Sequence, residues 1–459
     1  MDGQSVLKNE RIGILLLKFI IPATISMAIN SFYDVIDRIF VGRGVGSEAI
    51  SGIALAAPLI NLLSAFSLLL AVGASVLVSI KVGEKNADEA ERIIGNSFSL
   101  CVLFGIVVAG VMLFFLRPIL MIYSEPGAPV EYAIQFLQII LLSLVFQNIA
   151  YLMNYTLRAE GKPNMALISI VIAAVMNVLL NPVFIFGFKM GIRGSALATF
   201  ISQVVSAVWT SVYYLSYNKT IKLKMKNLRL RFSIVKKIIS NGLPIMLFMI
   251  LVSATLAISN IVFYETGGNT GLEIIGAIGV VYTMIQMIVN GISNGVAPII
   301  GFNYGAGDYG RVKKTVKITM IIGSTVCILS FAAIILFGEG IVALFFSDKP
   351  EIIATGATGL KYMCLGLPLI GFEMIATGYY QAIGKYKIAS AINVLRQAVI
   401  IMPLLLILPR LWGLNGCFMA FPITEAIASV IIIAIILINK KNGSGLEIIM
   451  KQTESKTAT

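Results

Sequence analysis

The chain has 459 residues, 58% hydrophobic and only 12% charged, with a mean hydropathy of +0.93. Soluble domains run at roughly 45–50% apolar and about 25% charged, which argues against a water-soluble enzyme. Thirty-five basic residues against 22 acidic give +13, an excess that in so apolar a chain points to an anionic inner-leaflet surface and not to nucleic acid. Histidine is absent, which excludes Ser-His-Asp and Cys-His catalysis, His-liganded zinc or haem, and proton relays through imidazole; proton chemistry must use carboxylates.

At about 20–23 residues per span, this length accommodates about twelve membrane helices and no large soluble domain. The N-terminal segment, 1–13, is polar and is expected to be cytoplasmic. The apolar run behind it is too long for a signal-peptide core and has no A-x-A site, so it reads as a retained span. Spans are predicted near 14–41, 51–80, 93–116, 132–156, 165–187 and 194–217, which together form a first bundle, 14–217. A basic linker, 218–241, follows. Spans near 242–264, 274–301, 315–337, 357–381, 388–409 and 414–438 make a second bundle, 242–438, before a cytoplasmic tail, 439–459. The fold class is therefore all-α and polytopic, with 12 transmembrane helices in two six-helix bundles.

Lys219, Lys222, Lys224, Lys226, Arg229, Arg231, Lys236 and Lys237 fall in the linker with no acid among them. The positive-inside rule places that stretch, and with it both termini, in the cytoplasm. Its bland reading is a topology determinant whose lysines snorkel to anionic headgroups; a specific lipid or regulator site is the sharper one. Cys101, Cys327, Cys364 and Cys417 have no CxxC spacing and read as buried thiols.

The two halves repeat. LRAEGKPN (157–164) aligns with YQAIGKYK (380–387), placing Gly161 opposite Gly384 at an offset of 223, and Ser124 and Ser347 share that offset. SIKVGEKNADEAER (79–92) aligns with GFNYGAGDYGRVKK (301–314), and Pro22 with Pro244, at an offset of 222. Six spans are an even number, so the copies insert in the same orientation as a parallel repeat, and the cleft between them is the expected substrate path.

Charges inside spans cost at least ~2.5–3.5 kcal/mol each on insertion scales, so each needs a reason. Span 1 carries Asp34, Asp37 and Arg38. Asp34 and Arg38 are spaced i,i+4 for an ion pair, which would leave Asp37 without a counter-charge and with Tyr33 one turn away. The competing reading makes Arg38 a structural bridge between both aspartates. Asn177 and Asn181 share one face of span 5 ahead of Pro182, Thr199 lies on span 6 and Asn154 on span 4. One carboxylate with amide and hydroxyl oxygens suits sodium, at Asp37, Asn177, Asn181 and Thr199, or a proton; ordinary inter-helix hydrogen bonding is the alternative. In the second half Glu373 and Glu425, with Gln286 and Asn290 and together with Asp34, are candidates for a cavity that takes a cationic substrate. Alternatively, Arg396 pairs with Glu373 or Glu425 and makes them structural. The 19 methionines would suit an adaptable apolar pocket, although most read as core or lipid-facing.

Over roughly residues 12–440 the chain resembles the multidrug and toxic compound extrusion (MATE) family, part of a superfamily that includes polysaccharide and lipid-linked precursor flippases. The resemblance rests on the span 1 proline followed by VIDRIFVG, on Asn177 and Asn181 before Pro182, on LRAEGKP, on APIIGFNYGAG and on QAIGK. It implies cation-coupled efflux of amphipathic, often cationic compounds by alternating access. It also implies an N-lobe cation site at Tyr33, Asp37, Asn154, Asn177, Asn181 and Thr199. Some members carry a second aspartate where this chain has Asn181. Others have an acid near the start of span 7, absent here, and one on span 10, where Glu373 lies.

The expected protein is a monomeric secondary antiporter of a prokaryotic inner membrane. It would have no enzymatic activity and no cofactor, with protons or sodium as coupling ion and small cationic or amphipathic molecules and membrane lipids as partners. The alternative is a flippase for an anionic lipid-linked precursor, which would favour a cavity rich in unpaired Arg and Lys. No ATP-binding motif is present.

Overall fold

The computed structural model describes residues 3–122, 124–217, 221–346 and 350–441. Ser347 of the repeat and Lys219 of the linker lie outside the described residues, as does nearly all of the tail.

A short helix, α1 (Gly3–Asn9), precedes six membrane-length stretches: α2 (Ile12–Gly44), α3 (Ser47–Gly83), α4 (Ala87–Leu120), α5 (Ala128–Ala159), α6 (Pro163–Pro182) and α7 (Ile192–Val212). The last two each continue through a π turn, Val183–Gly187 and Tyr213–Tyr217. Then come α8 (Phe232–Gly305), α9 (Tyr309–Ala343), α10 (Pro350–Met363), α11 (Leu367–Ala382), α12 (Tyr386–Val394), α13 (Ile401–Trp412) and α14 (Leu414–Lys441). A 3₁₀ turn, Cys364–Gly366, joins α10 to α11, and a π turn, Leu395–Ile400, joins α12 to α13, so each pair is one crossing.

Eleven helical stretches among the described residues are long and apolar enough to span a bilayer, and one of them, α8, has 74 residues. At ~1.5 Å per residue α8 would far exceed a ~30 Å hydrocarbon core as one rod. It breaks at Gly268, whose φ of 59° and ψ of −150° are not helical, so α8 supplies two crossings and the total is twelve. The helices overrun the apolar segments at both ends because polar residues finish them outside the hydrocarbon. Asn86, for example, caps α4 by accepting from the Glu89 amide at 3.0 Å.

Backbone geometry reproduces the repeat. Positive φ occurs at Gly46 and Gly268, at Lys85 and Gly307, and at Gly191 and Gly413, each pair separated by the offset of 222, and at Gly161 and Gly384, separated by that of 223. Asp308 stands at the same offset from Asn86 and caps α9 through the Arg311 amide at 3.0 Å, as Asn86 caps α4. Matching turns with matching caps show that the duplication extends from the sequence to the backbone of the two copies.

By internal contacts the chain forms two units, Met1–Glu10 with Ile21–Met246, and Arg11–Ile20 with Leu247–Thr459. In the first, α3 and α5 are the most deeply packed spans, while α4 exposes Leu103, Ile106 and Phe114 as a lipid-facing side does. Its core includes Val41, Ala56, Leu137, Leu141, Ile185 and Ala196. In the second, Phe263 packs on Phe418 with ring centroids 5.2 Å apart, beside Ile278, Leu360 and Leu405. The four cysteines are free and buried.

Candidate cation site

α2, α6 and α7 bring a polar cluster together inside the first unit. Asp37, on α2, is buried with 8% of its surface exposed. Its Oδ1 accepts from Asn181 Nδ2 at 2.9 Å and from Ser195 Oγ at 2.8 Å. Asn181 Nδ2 also donates to Asn177 Oδ1 at 2.8 Å, one turn back on α6. Asn177 Nδ2 donates in turn to Thr199 Oγ1 at 3.2 Å, and the Tyr33 hydroxyl donates to that same oxygen at 3.1 Å. The i,i+4 pairs Tyr33/Asp37, Asn177/Asn181 and Ser195/Thr199 thus present three helix faces to one another.

α7 approaches closely because Gly194 sits beside Ser195: a Cβ at Gly194 would lie 3.0 Å from the Phe184 carbonyl carbon. Pro182 ends α6 just after Asn181, and the chain continues through the π turn, where the Phe188 amide reaches the Val183 carbonyl at 2.8 Å.

Two oxygens remain open for chemistry. Both hydrogen bonds that described residues make to the Asp37 carboxylate use Oδ1, so Oδ2 has none from among them. Asn181 Oδ1 is buried and has no hydrogen-bond partner. A buried acceptor without a donor is costly, at about 1–3 kcal/mol, and a cation or a protonated group removes that cost. One carboxylate with amide and hydroxyl oxygens fits a hard monovalent cation or a proton. Among the described residues there is no group of three or more Cys, Asp or Glu that suggests a transition-metal site.

The predicted residues separate on inspection. Tyr33, Asp37, Asn177, Asn181 and Thr199 join one hydrogen-bonded chain. Asn154 is directed elsewhere, donating to the Ala166 carbonyl at 2.6 Å and to Ser169 Oγ at 2.9 Å. Ser169 lies two turns before Asn177 on α6, roughly 12 Å along the axis. Ser195 was not foreseen; its i,i+4 relation to Thr199 was the available signal. Arg38 is exposed. The Asp34 side chain, and with it the expected Asp34–Arg38 pair, lies outside what is described.

In the second unit Arg396 gathers both acids. Its Nε and a terminal guanidinium nitrogen donate to Glu425 Oε2 and Oε1 at 2.9 and 2.6 Å, and its Nε lies 3.4 Å from Glu373 Oε2. Ser429 Oγ donates to Glu373 Oε1 at 2.7 Å, and the Tyr282 hydroxyl donates to Glu425 Oε1 at 3.3 Å. All three charged groups are buried, so each acid has a partner within the fold. Gln286 and Asn290 are half-buried on α8, Gln286 beside Tyr282.

The second copy does not repeat the Asp37 cluster. At the offset of 222, the positions answering to Asp37, Asn181, Ser195 and Thr199 hold Ser259, Pro403, Cys417 and Phe421.

Known proteins share both this sequence pattern and this fold. "Multidrug export protein MepA" of Staphylococcus haemolyticus (strain JCSC1435) is 27% identical over 417 residues, covering 90% of this chain and 91% of that protein. MepA of Staphylococcus aureus (strain MSSA476) is 27% identical over 419 residues with the same coverage. A crystal structure of a MATE protein in complex with MaL6 superposes with a TM-score of 0.90 at 21% identity, covering 98% of this chain and all of that one. The outward-facing conformation of a multidrug resistance MATE family transporter of the MOP superfamily gives 0.89 at 22% identity, covering 98% and 99%. The sequence model of the family called MatE matches residues 22–183 and again 244–407, one match in each repeat. With both repeats matched and the two-unit, twelve-span fold in place, this multi-pass membrane protein belongs to the MatE family, whose members are transporters and not enzymes.

Proposed function

We propose that the chain is a secondary active antiporter that exports amphipathic cationic compounds in exchange for protons or sodium by alternating access. The observation that carries this is the Asp37 carboxylate, buried in the first unit and hydrogen-bonded by the neutral donors Asn181 and Ser195, beside the unpartnered Asn181 Oδ1. An ion entering this cluster gives the carboxylate its counter-charge and the amide oxygen its partner. Coupling then requires that ion and substrate favour different conformations. The multidrug-export names of the MepA relatives support the substrate class. The basic loops support an orientation with both termini in the cytoplasm of a prokaryotic cell, and the protein is taken to act as a monomer.

The flippase reading requires free cationic side chains for an anionic headgroup. Arg396, the buried arginine of the second unit, is committed to Glu425 and Glu373, which favours the antiporter.

The test is exchange in vesicles. Purified protein is expected to move a fluorescent cationic dye against an imposed proton or sodium gradient, and Asp37→Asn to abolish the gradient dependence. Undiminished gradient-driven movement by Asp37→Asn would overturn the assignment.

A further inference from the structure

The linker between the repeats folds as a strap along the first unit. Ile221 and Leu223 are buried while Lys222 between them is exposed, so the segment enters as an extended strip with one face inward. α4 holds it by side chains. Glu91 accepts from the Lys222 amide at 3.2 Å and pairs with Lys224 Nζ at 2.6 Å. Asn96 donates to the Asn227 carbonyl at 3.2 Å and accepts from the Arg231 amide at 2.6 Å, and Ser99 donates to the Leu228 carbonyl at 2.7 Å. The fit is close: a Cβ at Gly95 would sit 2.5 Å from the Asn227 oxygen. A segment that served only as a charged tether would not need this set of side-chain bonds to one helix.

Held in this way, the strap turns a distinctive face outward. Met225 is 79% and Phe232 83% exposed, and Leu230 is exposed between them. Lys226, Arg229, Arg231, Lys236 and Lys237 are exposed as well. No carboxylate lies within ion-pair distance of these five among the described residues, and the nearby Glu91 is already engaged by Lys224. Phe232 opens α8, and Lys236 and Ile239 follow at i+4 and i+7 on the same exposed face of its first turns. Cations alternating with protruding apolar side chains, next to the start of a membrane span, match a headgroup layer above its acyl boundary. An acidic protein surface would leave Met225 and Phe232 without a partner.

We propose that residues 221–239 form a docking surface for anionic phospholipid headgroups. Lys226, Arg229, Arg231 and Lys236 take the phosphate oxygens, and Met225 and Phe232 seat at the acyl boundary. Glu91, Asn96 and Ser99 touch no lipid; they position the strap.

The full chain, purified in detergent with equal phosphatidylglycerol and phosphatidylcholine, is weighed with its retained lipids by native mass spectrometry. Retention of phosphatidylglycerol at least fivefold above phosphatidylcholine is expected. The combined K226Q/R229Q/R231Q/K236Q variant is expected to bring that ratio near one while keeping its unfolding temperature in neutral lipid. An unchanged ratio in that variant, or no preference in the wild type, overturns the proposal. If the variant does not fold, the wild type decides: in 1 M salt, where the screening length falls to about 3 Å, the preference should vanish, and its persistence overturns the electrostatic assignment. Inorganic phosphate at matching concentration should fail to displace the lipid; displacement would overturn the role given to Met225 and Phe232.

Discussion

Ser195 donates its hydroxyl to the same oxygen of Asp37 that receives the Asn181 amide, at 2.8 Å and from a helix far along the sequence. A hydrogen bond to a charged group contributes about 1.5–3 kcal/mol. Ser195→Ala should therefore shift the half-saturating concentration of the coupling ion by roughly tenfold or more. Dye exchange titrated with sodium at fixed pH, and with pH at fixed sodium, reads the shift. An unchanged midpoint in both titrations would separate Ser195 from ion binding.

Asn181 offers the complementary change. Asn181→Asp places a second carboxylate beside Asp37, so an added cation is needed for neutrality. Each extra inward charge couples to the membrane potential by ~2.3 kcal/mol per 100 mV. Exchange of a monovalent dye should become steeper in a potassium-diffusion potential than in the wild type, and a vesicle assay with valinomycin measures this. A variant with wild-type voltage dependence would exclude a second bound cation.

The Arg396 centre should behave as a unit. Removing the guanidinium alone, as in Arg396→Met, strands two buried carboxylates, and breaking a buried pair in this way costs about 3–5 kcal/mol. Adding Glu373→Gln and Glu425→Gln to that variant should restore much of the lost thermal stability, because buried ion pairs replaced wholly by neutral groups are often near break-even. Unfolding temperatures of the single and triple variants in one detergent make the comparison. A triple variant as unstable as the single would show that the acids matter for something other than meeting Arg396.

Lys85 holds a φ of 59° where the other copy has Gly307 at 73°. A side chain in this left-handed region costs roughly 1–2 kcal/mol, and glycine avoids the clash. Lys85→Gly is expected to raise stability by about 1 kcal/mol, read as a higher unfolding temperature with transport unchanged.

Much of this architecture is written in the apolar runs. Their length sets the number of crossings, and the paired prolines and glycines mark the duplication. Half of the polar cluster around Asp37 is equally legible, since Tyr33 with Asp37 and Asn177 with Asn181 share helix faces by spacing alone. Asn154 shows where spacing stops being informative. It sits on a suitable span, yet the rotation of α5 against α6 aims its amide at Ser169, and no local pattern encodes that rotation. Ser195 is hidden for the same reason: its contact depends on how closely Gly194 lets α7 approach Phe184. Arg396 could be matched with Glu373 or Glu425 from composition, but only the packed α11, turn and α14 reveal that one guanidinium meets both.

The correspondence between the two copies has a practical use, because Ser195 in one answers to Cys417 in the other. A Ser195→Cys protein carries, besides its three other cysteines, a pair of thiols at corresponding positions of the two copies, one beside the Asp37 carboxylate and the other near Thr266. Peptide mapping after slow alkylation would read both from a single molecule, so detergent, temperature and reagent decay cancel in their ratio. The duplicated chain thus contains its own ratiometric reference for the access of a reagent to the Asp37 cluster.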